Sequence, residues 1–108
     1  MKKILITGAS GGIGSSIADK FVENEYEMIL TSSSETTLIK LKQKYGNGHH
    51  YYILDFKNPD DNNIVLKKIS EEHQDLKVIV NNAGITDDSL LLRMKTDQWN
   101  NVIQANLS

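Results

Sequence analysis

The chain has 108 residues, which is enough for one small domain and leaves little room for a second. With 39% hydrophobic and 24% charged residues it has the composition of an ordinary globular protein, and its formal net charge of -2 gives no overall positive field for a nucleic acid. The absence of cysteine excludes a disulfide framework, a thiolate metal site and a thiol nucleophile. No apolar run is long enough for a membrane span or a signal segment. We therefore expect a cytoplasmic location.

Short apolar runs alternate with helical patterns along the chain. The first run, residues 4–6, is continuous rather than alternating, which predicts a strand covered on both faces. Three similar runs predict further strands at residues 28–30, 51–54 and 78–80. We therefore expect four short, buried strands.

Four helices are predicted from apolar residues spaced three and four positions apart. The first follows a glycine-rich segment and should end near Asn24, and the second begins at Ser34 and is stopped by glycines from Gly46 onward. The third begins at Pro59 and the fourth near Thr96. The inward-facing residues predicted for the four helices are, in order, Ile13, Ile17, Ala18, Phe21 and Val22; Leu38, Leu41 and Tyr45; Ile64, Leu66 or Val65, and Ile69; and Trp99, Val102, Ile103 and Leu107.

This alternation of strands and helices predicts a doubly wound α/β fold. Parallel strands joined by helical crossovers place helices on both faces of one sheet, because the crossovers are right-handed. Periodicity leaves two strand orders open: 3-2-1-4, as in a mononucleotide-binding half, and the flavodoxin-like order 2-1-3-4.

The segment from Thr7 to Gly14, T-G-A-S-G-G-I-G, lies between the first strand and the first helix. Its glycines allow a tight turn and a close approach of main-chain amides to a ligand, and the start of a helix favours an anion. We therefore predict a phosphate site formed by the main chain. The spacing G-x-x-x-G-x-G is not that of a P-loop, and no lysine follows it, which disfavours a kinase or NTPase. A glycine turn without a ligand is the alternative.

The same segment resembles the cofactor turn of the short-chain dehydrogenase/reductase family. The block Asn81–Gly84, directly after the fourth predicted strand, is similar to that family's N-N-A-G segment beside the cofactor. The stretch from Ala83 to Leu107 resembles, within the family, the 3-oxoacyl-acyl carrier protein reductases of bacterial fatty-acid synthesis. The resemblance covers essentially the whole chain and implies a Rossmann sheet of order 3-2-1-4, truncated relative to the family.

The resemblance also implies a function for the parent protein. The activity would be hydride transfer from NADPH to the keto group of a 3-oxoacyl chain on acyl carrier protein, in a homo-oligomer that is a tetramer in full-length members. Asn106 matches a helix asparagine that acts in a proton relay to the catalytic lysine, and Asp55 with Phe56 matches the acidic position beside the adenine. The residues expected to bind the remaining parts of the cofactor are Gly8, Ser10, Gly12, Ile13, Gly14, Asn82, Ala83 and Gly84.

The choice between NADP and NAD depends on charge at the end of the second strand. In an NAD site an acid there accepts a hydrogen bond from the ribose 2′-hydroxyl and would repel a 2′-phosphate. This chain has Ser32 and Ser33 at that place, which are small donors. We therefore predict NADP, although the two positions where many relatives carry arginine hold Gly11 and Ser33.

The residues that carry out the family's chemistry are not found in this chain. The family uses a serine and a Tyr-x-x-x-Lys pair, and none of the four tyrosines here is followed four positions later by a lysine. We expect residues 1–108 to be the N-terminal dinucleotide-binding half of one Rossmann domain, inactive alone. A catalytically inactive nucleotide-binding module, or a reductase of another small carbonyl or alcohol, are the alternatives.

The three histidines predict no metal site. His49 and His50 are adjacent, which places their side chains on opposite faces of a strand, and His73 lies by itself at a charged helix end.

Overall fold

A computed structural model describes residues 2–9, 12–54, 59–81 and 103–106. Within these residues the strands are β1 (Lys3–Thr7), β2 (Glu27–Ser32), β3 (His50–Ile53), β4 (Leu76–Asn81) and β5 (Ile103–Asn106). The helices are α1 (Gly12–Glu23), α2 (Glu35–Tyr45) and α3 (Pro59–Glu72). None of these helices has the length and apolar character needed to cross a membrane.

The strands form one parallel sheet of order β3-β2-β1-β4-β5. The predicted order 3-2-1-4 is therefore confirmed, and the flavodoxin-like order is excluded. β1 lies at the centre of the sheet, and its last residue, Thr7, is in register with Asn81 at the end of the parallel strand β4. The carboxyl ends of the strands thus meet at one edge of the sheet, which we call the carboxyl edge.

The two faces of the sheet carry separate apolar clusters, which explains why the predicted strands are continuously apolar. One cluster packs against α1 and α2, and its strand members include Ile4, Ile6, Met28, Leu30 and Val80. The other packs against α3, and its buried members are Leu5, Ile29, Leu54, Leu66, Ile69, Leu76 and Ile79. Successive strand residues point to opposite faces, so both faces need apolar side chains.

The predicted limits of α2 are confirmed by its caps. Ser34 accepts a hydrogen bond from the Thr37 amide at 3.2 Å, as an N-cap serine does. At the other end Gly46 has φ 78° and ψ -162°, a region that is essentially restricted to glycine, and its amide donates to the Lys42 carbonyl at 2.8 Å. These two residues fix where α2 begins and where the chain turns toward β3.

The inward face of α3 differs from the prediction at one position. Leu66 and Ile69 are buried and Val65 packs against them, but Ile64 is 68% exposed. Two residues turn a helix by about 200°, so Ile64 lies nearly opposite Leu66 and cannot reach the same cluster. The spacing of three between Leu66 and Ile69 defines the buried stripe, and Ile64 does not belong to it.

A second difference concerns the end of the chain, where a fourth helix is predicted. Residues 103–106 instead form β5, with Ile103 in register with Val78 and Asn106 in register with Asn81. Pairing with residues 103–106 supplies hydrogen-bond partners for the N–H and C=O groups on the outer side of β4, which would otherwise be an outermost strand of the sheet. The helical setting predicted for Asn106 is thus wrong, and the other residues of the predicted fourth helix lie outside the described ranges.

A polar contact joins α1 to α2. The Tyr45 hydroxyl donates to Asp19 Oδ1 at 2.7 Å, and Lys44 Nζ lies 3.1 Å from the same oxygen. The hydrogen bond from Tyr45, followed by that from Lys44, holds the pKa of Asp19 below its ordinary value. Because Asp19 and Lys44 are about half exposed, we expect this contact to contribute only modestly to stability.

This contact gives a pH-dependent prediction. A carboxyl whose pKa is lowered on folding adds stability above its unfolded pKa, near 3.9, and this stability is lost as the pH falls through the folded value. We expect Asp19→Asn to lower the thermal unfolding midpoint at pH 7, and to lower it less at about pH 2.5, below the unfolded pKa, where the contribution of the contact to wild-type stability has begun to be lost. The control is Glu71→Gln, an exposed glutamate of α3. A difference between wild type and Asp19→Asn that is the same at both pH values would contradict the assignment.

Candidate functional site

The glycine-rich segment forms a turn at the carboxyl edge of the sheet. Gly8, the first residue after β1, has φ 65°, a left-handed conformation that favours glycine. The Ala9 amide donates to the Thr31 carbonyl of β2 at 3.2 Å, and the Thr7 hydroxyl donates to the Val80 carbonyl of β4 at 3.4 Å. The turn is thereby attached to both neighbours of β1 before α1 begins at Gly12.

The start of α1 has the geometry expected of an anion site. The first amides of a helix have no acceptor within the helix, and the helix dipole is positive there. A Cβ added at Gly12 would meet no atom of the described residues within 4 Å outside its own turn of α1, so among these residues open space lies beside the amides. Gly14, two residues further on, is buried. The residue types and the open space fit a pyrophosphate bound by the main chain, and the predicted phosphate site stays a prediction.

Small hydroxyl side chains surround the end of β2. Ser32 is buried; its hydroxyl contacts that of Thr37 and accepts a hydrogen bond from the Ser34 amide at 3.4 Å. Ser33 is exposed, and the hydroxyl of Thr31 is buried without a hydrogen-bond partner among the described residues. No acid lies between Thr31 and Ser34; Glu35, in the first turn of α2, is the next one along the chain. This arrangement is compatible with the 2′-phosphate that distinguishes NADP from NAD.

The structure brings part of the predicted site together. The main chains of Gly8, Gly12, Ile13 and Gly14 lie in the turn and at the start of α1, and Ser32 and Ser33 end the neighbouring strand. Asn106 ends β5 and lies at the same carboxyl edge. The other predicted site residues lie outside the described ranges: Ser10, Asp55, Phe56, Asn82, Ala83 and Gly84.

A second group of polar residues, which sequence reasoning missed, lies where β1, β2 and β3 begin. We call it the amino-edge cluster; its members are Lys3, Glu27, His50, Tyr52, Glu72, His73 and Asp75. His50 Nε2 lies 2.8 Å from Glu27 Oε2, and the rings of His50 and His73 have centroids 4.3 Å apart. The two histidines are thus neighbours, which corrects the prediction that His73 lies by itself.

Charges within the amino-edge cluster shift several pKa values. The hydrogen bond from His50, with the nearby charge of Lys3, holds the pKa of Glu27 below its ordinary value. Burial, with the charges of His50 and Lys3, lowers the pKa of His73. Partial burial disfavours the charge on Lys3, but its contacts with Asp75 and Glu27 outweigh that effect and leave its pKa raised.

The parallel sheet, with a glycine-rich turn between β1 and α1, defines a protein of the Rossmann fold class, in which dinucleotides bind at such a turn. The family model for the short chain dehydrogenases matches residues 2–108. The chain belongs to this family.

Curated relatives include 3-oxoacyl-acyl carrier protein reductases from several bacteria. The chain is 40% identical over 107 residues to that of Salmonella typhimurium and 39% identical to that of Escherichia coli, in each case over 99% of this chain and 44% of the relative. The chain therefore spans less than half the length of these relatives.

Solved structures share the fold. A short-chain dehydrogenase from Streptomyces avermitilis superposes with a TM-score of 0.83 at 23% identity, covering 99% of this chain and 48% of that one. A short chain dehydrogenase/reductase from Saccharomyces cerevisiae gives a TM-score of 0.81 at 23% identity, covering 100% of this chain and 53% of that one. A yeast methylglyoxal/isovaleraldehyde reductase solved with NADPH gives a TM-score of 0.76 at 18% identity, covering 93% of this chain and 35% of that one.

Proposed function

We propose that this chain is the NADPH-binding part of a reductase that acts on 3-oxoacyl groups carried by acyl carrier protein. The observation that carries the proposal is the 40% identity with such a reductase over 99% of the chain. The geometry supports it, because the start of α1 at Gly12 offers main-chain amides, with open space beside Gly12 among the described residues, for a pyrophosphate.

Each part of the site has a proposed role in holding the cofactor, which supplies the hydride when bound. The amides at the start of α1 bind the pyrophosphate, and Gly12 keeps space beside them. Ser32 and Ser33 accommodate the 2′-phosphate. By the family resemblance, Asp55 and Phe56 are assigned to the adenine, and Asn82, Ala83 and Gly84 to the ribose. Asn106 takes part in proton transfer to a lysine supplied by the remainder of the protein, which also supplies the serine and tyrosine.

The NADP preference is tested by adding a charge at the end of β2. Ser33→Asp places a carboxylate at an exposed position there, which should leave the fold unchanged and repel a 2′-phosphate. We expect NADPH affinity to fall at least tenfold while NADH affinity stays the same or rises, as measured by fluorescence titration.

Ser33→Asn is the control, because it has nearly the same shape and no charge. It should leave the ratio of NADPH to NADH affinity within about twofold of wild type. Tighter binding of NADH than of NADPH by the wild-type chain would overturn the NADP assignment.

The substrate class is tested on the full-length gene product with NADPH and an acetoacetyl thioester. Consumption of NADPH, and its loss when the tyrosine of a downstream Tyr-x-x-x-Lys is changed to phenylalanine, would support the proposal. Activity on a sugar or steroid alcohol without activity on the thioester would favour a reductase of another substrate. Dinucleotide binding without turnover of any carbonyl compound would favour an inactive nucleotide-binding module.

A further inference from the structure

We propose that the amino-edge cluster binds a divalent transition-metal ion, represented by Zn²⁺, through Glu27, His50 and His73. One ligand atom from each of these three side chains lies within 4.8 Å of the other two. The three ligands come from the start of β2, the start of β3 and the segment between α3 and β4. The cluster lies at the opposite end of β1 from the glycine turn, so this inference is independent of the proposed function.

The hydrogen bonds around His73 direct the lone pair of one ring nitrogen toward a cation, the Lys3 ammonium. Tyr52 donates its hydroxyl hydrogen to Glu72 Oε2 at 2.9 Å, so its oxygen accepts from His73 Nε2, which lies 3.0 Å away. Nδ1 of His73 then carries the lone pair and accepts from Lys3 Nζ at 3.2 Å. Fixing one nitrogen of an imidazole by a hydrogen bond while the other faces a cation is the usual arrangement around a metal-binding histidine.

The ammonium of Lys3 already occupies a cation position in this cluster. Its Nζ lies 3.4 Å from Glu27 Oε2, 3.2 Å from His73 Nδ1 and 3.0 Å from Asp75 Oδ1. A metal ion would use the same acceptors and would be repelled by the ammonium, so Lys3 competes with it. The Lys3 side chain is 16% exposed, and we expect it to move toward solvent when the metal binds.

The ligand types and their spacing favour zinc and its neighbours over magnesium or calcium. Two imidazoles and a carboxylate form a common donor set for Zn²⁺, whereas the harder cations prefer oxygen alone. Metal–ligand distances near 2.0–2.2 Å place tetrahedral ligands about 3.5 Å apart, so the widest of the present separations must close by roughly 1 Å, and the 2.8 Å between His50 Nε2 and Glu27 Oε2 must open. Glu27 and His50 are partly exposed and can make that movement, while His73, 2% exposed, stays in place.

The test is calorimetric titration of the untagged chain with ZnCl₂, supported by visible absorption with Co²⁺. We expect one Zn²⁺ per chain, at least tenfold weaker binding by His50→Ala and Glu27→Gln, and at least tenfold tighter binding by Lys3→Met. The matched control is His49→Gln, which removes the adjacent imidazole. His49 lies outside the cluster and accepts from the Met28 amide at 3.0 Å, a role that a glutamine oxygen can take over. This control should bind within about threefold of wild type.

A second readout detects the metal through stability. An ion that binds only the folded state raises the unfolding temperature. Zn²⁺ should therefore raise the unfolding temperature of wild type and of Lys3→Met, and should leave the unfolding temperature of His50→Ala unchanged. The proposal would be overturned if wild type did not bind one Zn²⁺ per chain. It would also be overturned if His49→Gln and His50→Ala lost the same amount of Zn²⁺ affinity, or if Lys3→Met bound Zn²⁺ with the affinity of wild type. Dinucleotide binding by the same variants, measured separately, reports on the carboxyl edge alone.

Discussion

Replacement of Ile69 by alanine is expected to lower the free energy of unfolding by about 2–5 kcal/mol. Ile69 is 0% exposed and lies on α3 within the cluster that includes Leu5, Ile29 and Ile79. The substitution removes apolar contact and leaves a cavity that the surrounding strands fill only in part. In urea denaturation this corresponds to a midpoint lower by roughly 1–3 M, a large part of the stability of a small domain.

The matched control lies on the same helix. Ile64→Ala removes the same side chain from a position that is 68% exposed, so its effect should stay within about 0.5 kcal/mol. If Ile69→Ala does not fold, Ile69→Val should still cost about 0.5–1.5 kcal/mol. Equal effects at the two positions would show that α3 does not pack through Ile69.

The second large effect concerns Gly12 and dinucleotide binding. We expect Gly12→Ala to weaken NADPH binding at least tenfold, because its methyl group would occupy the open space beside the first amides of α1. The fold should not suffer, since within the part of the chain that the structure describes the added Cβ meets no atom of another segment within 4 Å, and the backbone at Gly12 is not left-handed. Alanine in a helix is more stable than glycine by up to about 1 kcal/mol, so unfolding should occur at the same or a higher temperature.

Ser16→Ala is the control for this experiment. It removes only the hydrogen bond from the Ser16 hydroxyl to the Gly12 carbonyl at 3.0 Å, one turn further along α1. Its NADPH affinity should stay within about twofold of wild type. Unchanged affinity in Gly12→Ala would exclude the start of α1 as the pyrophosphate site and would remove the structural support for an oxidoreductase.

The carboxyl edge was accessible to sequence reasoning because its signals are local. The glycines from Gly8 to Gly14 lie between a strand and a helix, and the serines at the end of β2 are predicted as site residues from their position in the sequence alone. The amino-edge cluster was missed because its contacts are distant in sequence: His50 and Glu27 are 23 residues apart, and Lys3 and His73 are 70 apart. The periodicity of one element does not predict which elements meet.

The sequence by itself determined the order of strands and helices up to β4, the limits of α2 and the glycine turn, since these depend on side-chain spacing, caps and backbone freedom within a few residues. Periodicity left two strand orders open, and the order 3-2-1-4 that the family resemblance implied is confirmed by the sheet. Only the tertiary structure decided the exposure of Ile64, the pairing of residues 103–106 with β4 and the meeting of His50 with His73. Each of these depends on contacts between distant segments, whose free energy appears only once the sheet has formed.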